Sequence, residues 1–333
     1  MKRIAKILCV LLTMLMLASL FAACANDNNT IGGGAVTGAA GTTGDNKAAE
    51  NNPPVTPDTD DETDAPYMTV TDSYGREVII EKQPVRIVSA APNITETIYA
   101  LGKSDLLVGR TDWCNYPADA FDIAAIGNID MPSIETVVAL EPDLVIGSSI
   151  LAKEAVEAME AAGLTVVLFR AEESFEGTYE FIRNVAIVIG ADSEAEAIVK
   201  NMRDTVADIA ARVEGREAPT VYYVMMYGEW GDWTATGETF INDMITMAGG
   251  VNSAADAEGW SYSLEKLVEN DPDIIITTFY NADGLADANG YKDLTAVQEG
   301  RVYIVDEDAL SRQGPRLADA LLELARIFHP DAF

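Results

Sequence analysis

The sequence predicts an α/β protein with two lobes, each a mainly parallel sheet flanked by helices, joined by a single long α-helix and enclosing a ligand cleft. The first observation is a repeat: residues 133–147 read SIETVVALEPDLVIG, and residues 263–277 read SLEKLVENDPDIIIT. Each copy has a Ser that can cap a helix, a short amphipathic stretch, an acidic-Pro-Asp break and an apolar, β-branched run. The second observation is an unbroken helical pattern over residues 193–215, between the copies. Two similar lobes around a cleft usually hold a small ligand.

Strand and helix patterns alternate through the first half of the globular region. In order, the predicted elements are a hairpin from YMTVTD to EVIIE, strand RIVSAA, helix NITETIYALG, strand LLVGRT, helix IETVVALE, strand DLVIGSS, helix AKEAVEAMEAAG, strand TVVLFR and helix FEGTYEFIRNVAIVIG. Asn93 is a candidate cap, and Gly102 and Gly190 are candidate helix stops. Such alternation predicts parallel sheets covered by helices.

The long helix and the second lobe follow. Ser193 with Glu196 three residues later has the form of a capping box. After the helix come strand TVYYVMMY, helix TFINDMITMAGG, the second repeat copy, strand VYIVD and helix RLADALLELARIF. We therefore predict an N-terminal lobe over residues 67–190, a stiff connecting helix over 191–216 and a C-terminal lobe over 217–333.

The first 23 residues have the pattern of an export signal. Lys2, Arg3 and Lys6 precede an apolar run, and small residues stand before Cys24. The Ala-Ala-Cys ending resembles a bacterial lipobox, although Phe21 replaces the commoner aliphatic residue. That resemblance implies cleavage before Cys24 and a lipid on its sulfur, which would hold the protein on the extracytoplasmic face of the membrane. An uncleaved membrane anchor is the alternative.

Composition limits the remaining possibilities. Residues 24–66 are mostly Asn, Gly, Thr, Ala, Asp and Pro, which predicts a flexible linker behind the lipid. After the signal and Cys24, Cys114 is the one cysteine left, so the mature fold has no intramolecular disulfide. The formal net charge is −32, and no Lys/Arg cluster follows the signal, which argues against a nucleic-acid partner.

Across residues 67–333 the motifs resemble, in order, the helical-backbone (class III) substrate-binding proteins of bacterial ABC importers. RIVSAAPNITETIYALG, VGRTDWCNYP and the first repeat copy are similar to their N-lobe. WTATGETFINDMITMAGGVN, the second copy and SRQGPRLADALLELARIFHP are similar to their C-lobe. The branch most like this chain binds cobalamin, while ferric siderophore and haem binders share the fold. The resemblance implies a monomeric binding protein, not an enzyme, that captures a metal chelate outside the membrane and delivers it to a permease.

Candidate ligand contacts stand at the carboxyl ends of the predicted strands, where open α/β sheets bind ligands. The predicted contacts are Ala91, Pro92, Trp113, Tyr116, Ser148, Tyr227, Trp230, Trp233, Trp260, Phe279 and Arg312. Flat aromatic walls with polar edges suit a cobalt corrinoid, which is wide, largely apolar and rimmed by amides. A Trp that simply packs beneath a loop is the alternative. Ile129 and Ser148 stand where cobalamin binders carry Trp, so the ligand class transfers better than the individual contacts.

Glu135 and Glu265 occupy equivalent positions in the two repeat copies. In the family that this chain resembles, the matching Glu of each lobe reaches an Arg pocket on one permease subunit, so the pair implies docking to the permease and its ATPase. A Glu in a first helical turn also stabilises the helix dipole by roughly 0.3–1 kcal/mol, which is the ordinary alternative.

Other functions fit the sequence less well. His329 is the sole His and stands in a helix tail, which disfavours zinc, manganese and a His-ligated haem. A catecholate siderophore would need several cations, for which Arg110, Arg312 and Arg316 are candidates. A lipid-anchored hydrolase lacks a G-x-S-x-G motif, and a surface scaffold leaves the paired Glu residues unexplained. We expect no protein metal site and no cofactor apart from the corrinoid ligand.

Overall fold

The structure is a computed structural model that describes residues 65–228 and 231–333. The chain divides into Met1–Asp61 and Glu62–Phe333, and the described residues all belong to the second unit. The predicted signal, Cys24 and nearly all of the predicted linker lie outside the described residues, and so does Trp230. Within the described part, no helix combines the length and the apolar character needed to cross a membrane.

The N-terminal lobe begins with a hairpin and continues as alternating strands and helices. Its strands are β1 Met68–Thr71, β2 Glu77–Ile80, β3 Ile87–Ser89, β4 Leu107–Arg110, β5 Leu144–Gly147 and β6 Val166–Leu168. Its α-helices are α1 Pro92–Ala100, α2 Ile134–Ala139, α3 Lys153–Ala161 and α4 Phe175–Ile189. Short 3-10 turns span Ser104–Leu106 and Ala118–Asp122.

Helix α5, Asp192–Val213, leads into the C-terminal lobe. The strands of that lobe are β7 Thr220–Val224, β8 Val251–Asn252, β9 Ile274–Thr278 and β10 Val302–Val305. Its helices are α6 Phe240–Met247, α7 Leu264–Asn270, α8 Phe279–Ala282, α9 Thr295–Gln298, α10 Glu307–Ser311 and α11 Leu317–Phe328. Short 3-10 turns span Leu285–Asp287 and Tyr291–Asp293.

The two lobes carry sheets of the same plan. The N-terminal sheet has the strand order β4-β3-β5-β6, and the C-terminal sheet has the order β8-β7-β9-β10. All pairings within these two sheets are parallel, while β1 and β2 form an antiparallel ribbon. The predicted α/β fold class with parallel sheets flanked by helices is therefore confirmed.

The sequence repeat corresponds to a structural repeat. Ser133 caps α2 and Ser263 caps α7 by accepting a hydrogen bond from a backbone N–H three residues on. The Asp of each break then fastens the neighbouring strand: Asp143 Oδ2 accepts the N–H of Arg86 at 2.8 Å, and Asp273 Oδ2 accepts the N–H of Thr220 at 2.8 Å. In each copy, the Asp thus holds the strand of the repeat, β5 or β9, beside the neighbouring strand, β3 or β7.

Two predicted caps are wrong. Asn93 lies inside α1, because Pro92 takes the first helical position, for which its fixed φ is suited, and Ala91 becomes the N-cap. Ser193 lies inside α5, which begins one residue earlier after Ala191, and the Ser193 hydroxyl donates to Glu194. Glu196, the supposed capping partner, instead accepts two hydrogen bonds from the Arg183 guanidinium.

The largest apolar cluster of the described residues spans both lobes, and each lobe has a smaller cluster of its own. Helix α5 packs against α4 of the N-terminal lobe and α11 of the C-terminal lobe. Buried side chains of both sheets belong to one cluster, and the rings of Phe175 and Phe240 bridge it with centroids 6.0 Å apart. Because close-packed cores deform little, this shared core opposes hinge motion between the lobes.

The β1–β2 ribbon is fastened by a buried carboxylate. Asp72 is 5% exposed and accepts hydrogen bonds from the N–H groups of Tyr74 and Arg76 and from the Arg76 side chain. Burial alone would raise the pKa of Asp72, but these donors and the Arg76 charge outweigh it and hold that pKa below its usual value. Arg76 also reaches Glu160 of α3 at 2.6 Å, which ties the ribbon to the lobe.

Candidate functional site

Two adjoining cavities lie at the carboxyl ends of the two parallel sheets, where the lobes meet. Cavity one has a volume of about 420 Å³ and is lined mainly by the N-terminal lobe, with Ser311 to Gln313 closing it from the other side. Cavity two has a volume of about 570 Å³ and is lined mainly by the C-terminal lobe. Trp113 and Arg312 line both, so the cavities are compartments of one cleft.

Cavity one combines an apolar wall with polar groups. Its lining is Ala91, Pro92, Asn93, Trp113, Ile129, Ser148, Ser149, Ile150, Phe169, Arg170, Ala171, Ser311, Arg312 and Gln313. The predicted contacts Ala91, Pro92, Trp113 and Ser148 therefore come together here. They follow β3, β4 and β5, whose carboxyl ends share one edge of the sheet.

Trp113 stands between the compartments in a fixed orientation. Its indole N–H donates to Asn128 Oδ1 at 2.8 Å, and its carbonyl accepts from Arg312 at 3.3 Å. The side chain nevertheless stays 59% exposed. An oriented but uncovered aromatic ring is available for ligand stacking.

Cavity two presents further uncovered aromatic rings. Phe279 is 76% exposed and Tyr280 is 85% exposed, and the two rings meet edge to face with centroids 5.9 Å apart. They begin α8, directly after the carboxyl end of β9. Exposed large apolar groups grouped in a concavity mark a binding surface, since such patches are rare on soluble monomers.

The opposite wall of cavity two is acidic. Asp306, Glu307 and Asp308 line it from the end of β10 into α10. The pKa of Glu307 is raised, because burial disfavours its charge and the carboxylates of Asp308 and Asp306 repel it. Arg312 pairs with Asp308, and Arg316 pairs with Asp306. Glu307 is left without an ion pair among the described residues, so the compartment keeps a net negative charge and disfavours an anionic ligand group.

A charge cluster bridges the lobes at the base of the cleft, and we call it the lobe-bridging cluster: Glu96, Asn115, Asp306, Asp308, Arg312 and Arg316. Glu96 is 4% exposed and accepts both a 2.8 Å hydrogen bond from Arg312 and a bidentate pair at 2.8 and 2.9 Å from Arg316. Arg312 also contacts Asn115 and Asp308, each at 2.7 Å, and Arg316 contacts Asp306 at 2.7 Å. The guanidinium of Arg312, a predicted ligand contact, thus already donates hydrogen bonds to other residues of the protein.

The remaining predicted contacts among the described residues lie outside the linings of these two cavities. Tyr116 lies beneath the Arg316 guanidinium, 4.1 Å from the ring centroid. Tyr227 donates to the Asp283 carbonyl at 2.7 Å, and Trp233 pairs through its backbone with Met226 and Ser261. Trp260 is partly buried against the shared core and has a positive φ of 63°. Their role in ligand binding stays a prediction.

Several sequence candidates for other chemistry are enclosed by the protein. Arg110 is 7% exposed and donates to the carbonyls of Ala120 and Thr111. Cys114 is fully buried, as expected of a small apolar residue. The His329 ring is buried and contacts the Gly249 carbonyl at 3.1 Å. Among the residues described, no three His, Cys, Asp or Glu side chains converge as a metal site.

Glu135 and Glu265 hold matching places at the second position of α2 and α7. Both side chains are exposed, and neither forms an ion pair with any described residue. Because helices that connect parallel strands begin at the carboxyl edge of the sheet, we expect both Glu residues on the side of the cleft.

Two contributors to the site were not predicted from the sequence, Glu96 and Arg170. Glu96 reads as one more polar residue of a helix, and only its distance in space from Arg312 and Arg316 reveals the lobe-bridging cluster. Arg170 follows β6, and the same strand-end rule that selected Ala91 and Ser148 could have found it.

Comparisons with known proteins agree with this architecture. The family model described as "Periplasmic binding protein" matches residues 87–309. An uncharacterized ABC transporter substrate-binding lipoprotein of Bacillus subtilis is 33% identical over 80% of this chain and 87% of its own length. A cobalamin-binding protein of Halobacterium salinarum is 31% identical over 79% and 74%, respectively. Among solved structures, a periplasmic heme-binding protein of Roseiflexus superposes with a TM-score of 0.67 and 28% identity, covering 74% of this chain and 99% of the other.

Proposed function

This chain belongs to the periplasmic binding protein family as a substrate-binding protein of an ABC transporter that works outside the cytoplasm with a permease, and we propose that its ligand is a cobalt corrinoid. The ligand would lie in the cleft with its ring against Trp113, Phe279 and Tyr280. The relatives named for cobalamin or vitamin B12 support this choice.

The observation that carries the proposal is the pairing of the two compartments through Trp113. Pockets for drug-sized ligands occupy about 300–1,000 Å³, and each compartment is within that range. A ligand that fills both must be wide, and the uncovered rings on each side suit a flat macrocycle with an apolar body. Serine and amide groups of cavity one suit the amide rim of a corrin.

Haem is the second candidate, and one residue favours it. Tyr280 is exposed in cavity two, and a tyrosine phenolate can ligate haem iron. Against haem, the net negative wall around Glu307 would repel its two propionates, for which Arg170 of cavity one is the one unpaired cation in the described linings. A ferric siderophore with catecholate groups meets the same repulsion, and Arg312 already contacts Glu96 and Asp308.

Delivery to the permease is assigned to Glu135 and Glu265. Their matching, exposed and unpaired positions fit a partner with two equivalent halves, each supplying one cation. The Ala-Ala-Cys sequence at residues 22–24 supports attachment through a lipid on Cys24, which would keep the cleft near the permease.

Native mass spectrometry of protein purified from its host tests the ligand directly. We expect an adduct with the mass of a cobalt corrinoid, released on denaturation with a corrin absorption spectrum. An adduct of haem or of a ferric chelate would instead support the second candidate. As a control, the same preparation of the protein made in a host without corrinoids should carry no adduct and should gain it on incubation with cobalamin.

A further inference from the structure

Arg170 is a cation on the wall of cavity one that forms no ion pair with any described residue, although it also borders a small cavity that Glu172 and Glu180 line. It stands two residues beyond β6, and its backbone N–H donates to Ser73 Oγ at 2.9 Å, which fixes the chain at this point. Its side chain is exposed and lines cavity one. No residue of the described ranges forms an ion pair or a side-chain hydrogen bond with it. In a chain with a net charge of −32, an unpaired Arg at the ligand cavity is unexpected.

The other cation of the cleft differs in this respect. Arg312 and Arg170 are the two cations in the described linings of the cavities. Arg312 has one hydrogen bond to Glu96, one to Asn115 and an ion pair with Asp308. Its charge is balanced within the lobe-bridging cluster, so an anionic ligand group gains little from it. Arg170 remains the one lining cation with free donors.

The charge of the cleft therefore differs between its two compartments, with an unpaired cation in cavity one and carboxylates in cavity two. Arg170 shares cavity one with the neutral hydroxyl and amide groups of Ser148, Ser149 and Gln313. Cavity two has the carboxylates of Asp306, Glu307 and Asp308. A ligand with one anionic arm and a neutral or cationic body gains most when the arm lies in cavity one and the body in cavity two.

We propose that Arg170 determines ligand specificity by binding an anionic substituent, a phosphodiester, carried by a ligand whose apolar ring body lies against the aromatic side chains of cavity two. A guanidinium suits this role, because its planar fork matches phosphate oxygens in a bidentate geometry. The inference rests on the proposed corrinoid function, since cobalamin carries one phosphodiester in its nucleotide loop.

The test compares two corrinoids that differ in the nucleotide loop that carries this group. Cobalamin contains the phosphodiester, and cobinamide has the same corrin ring without the nucleotide loop. Their dissociation constants are measured by calorimetry for the parent protein, for Arg170→Gln and for Arg326→Gln. Arg326 is the matched control, because it is also exposed and unpaired among the described residues, but lies in the last turn of α11.

We expect Arg170→Gln to weaken cobalamin binding by about three- to tenfold. This loss is intermediate between that of an exposed ion pair and that of a desolvated charge-assisted hydrogen bond. Cobinamide affinity should not change, and Arg326→Gln should alter neither. The cobalamin effect should shrink at high salt. Equal losses for both ligands, or no loss for either, overturn the inference while the corrinoid function stands. A parent protein that binds neither corrinoid overturns the proposed function and this inference with it. Unchanged melting temperatures verify that the variants fold.

Discussion

Glu96 is the buried carboxylate on which the two guanidinium groups of the lobe-bridging cluster converge, so its charge should matter for stability. Glu96→Gln keeps the shape of the side chain and removes its charge. In the parent, the carboxylate is 3% exposed and receives three hydrogen bonds from two guanidinium groups. The Gln side chain can still accept at its oxygen, but its NH₂ group faces a guanidinium and can only repel it. The substitution therefore breaks a buried ion pair on one side.

The structure sets the size of the effect. Removing one partner of a buried ion pair costs about 3–5 kcal/mol, because a buried charge is left uncompensated. Here Arg312 keeps Asp308 and Arg316 keeps Asp306. We therefore expect the lower end, about 3 kcal/mol. For a protein of this size, 1 kcal/mol corresponds to about 2–4 °C, so the melting temperature should fall by about 6–12 °C.

Calorimetric melting and urea unfolding measure this loss, with Glu196→Gln as the control. Glu196 makes the same bidentate contact with Arg183, at 2.6 and 2.9 Å, but both side chains are exposed. Since exposed pairs contribute little, the control should lower the melting temperature far less. Equal shifts for the two variants would refute the reasoning, because burial would then not decide the strength of the pair.

Three further predictions concern docking, acid stability and rigidity. The double variant of Glu135→Ala and Glu265→Ala should leave ligand affinity unchanged but reduce stimulation of the permease ATPase in vesicles. As the control, Glu154→Ala, in another exposed first turn, should not reduce that stimulation. Full stimulation by the double variant would mean that the two Glu residues only stabilise the helix dipole. Asp72→Asn should lower the free energy of unfolding at pH 7. The difference from the parent should shrink progressively as the pH falls below about 4, because the stabilisation from a carboxyl with a lowered pKa is lost between its unfolded pKa and its lower folded pKa; a pH-independent difference would contradict this. X-ray scattering should show little change of the globular part on ligand binding, and a large compaction would contradict the shared core.

The fold could be predicted from the sequence because its signals are local and repeated. The acidic-Pro-Asp breaks, the β-branched runs and the length of the connecting helix each stand in one continuous stretch. The first residue of each helix is harder to predict than the fold, since several neighbouring polar residues can each serve as the N-cap. Pro92 displaced Asn93 from the cap, and the start of α5 at Asp192 moved Ser193 inside the helix.

The site could be predicted only in part, because its geometry depends on contacts between the lobes. The rule that ligands bind at the carboxyl ends of strands placed Trp113 and Phe279 at the cleft, because the strands that precede them can be recognised in the sequence. It gave no information on charge pairing across 216 residues, the separation of Glu96 and Arg312. Arg312 lines both cavities, and its role as a ligand contact stays a prediction, but the sequence did not reveal that it also contacts Glu96 and Asp308. Pairings so distant in sequence leave no periodicity that a single sequence can reveal.

Direct titration of ligand classes tests the central claim, that the cleft binds a corrinoid. Cobalamin, haem and a ferric catecholate siderophore are each added to the purified protein while calorimetry records heat and Trp fluorescence reports the cleft through Trp113. We expect a saturable heat and Trp quenching with cobalamin at micromolar concentration or below, and much weaker binding of the two anionic chelates. Tight binding of haem or of the siderophore, with no response to cobalamin, would contradict it.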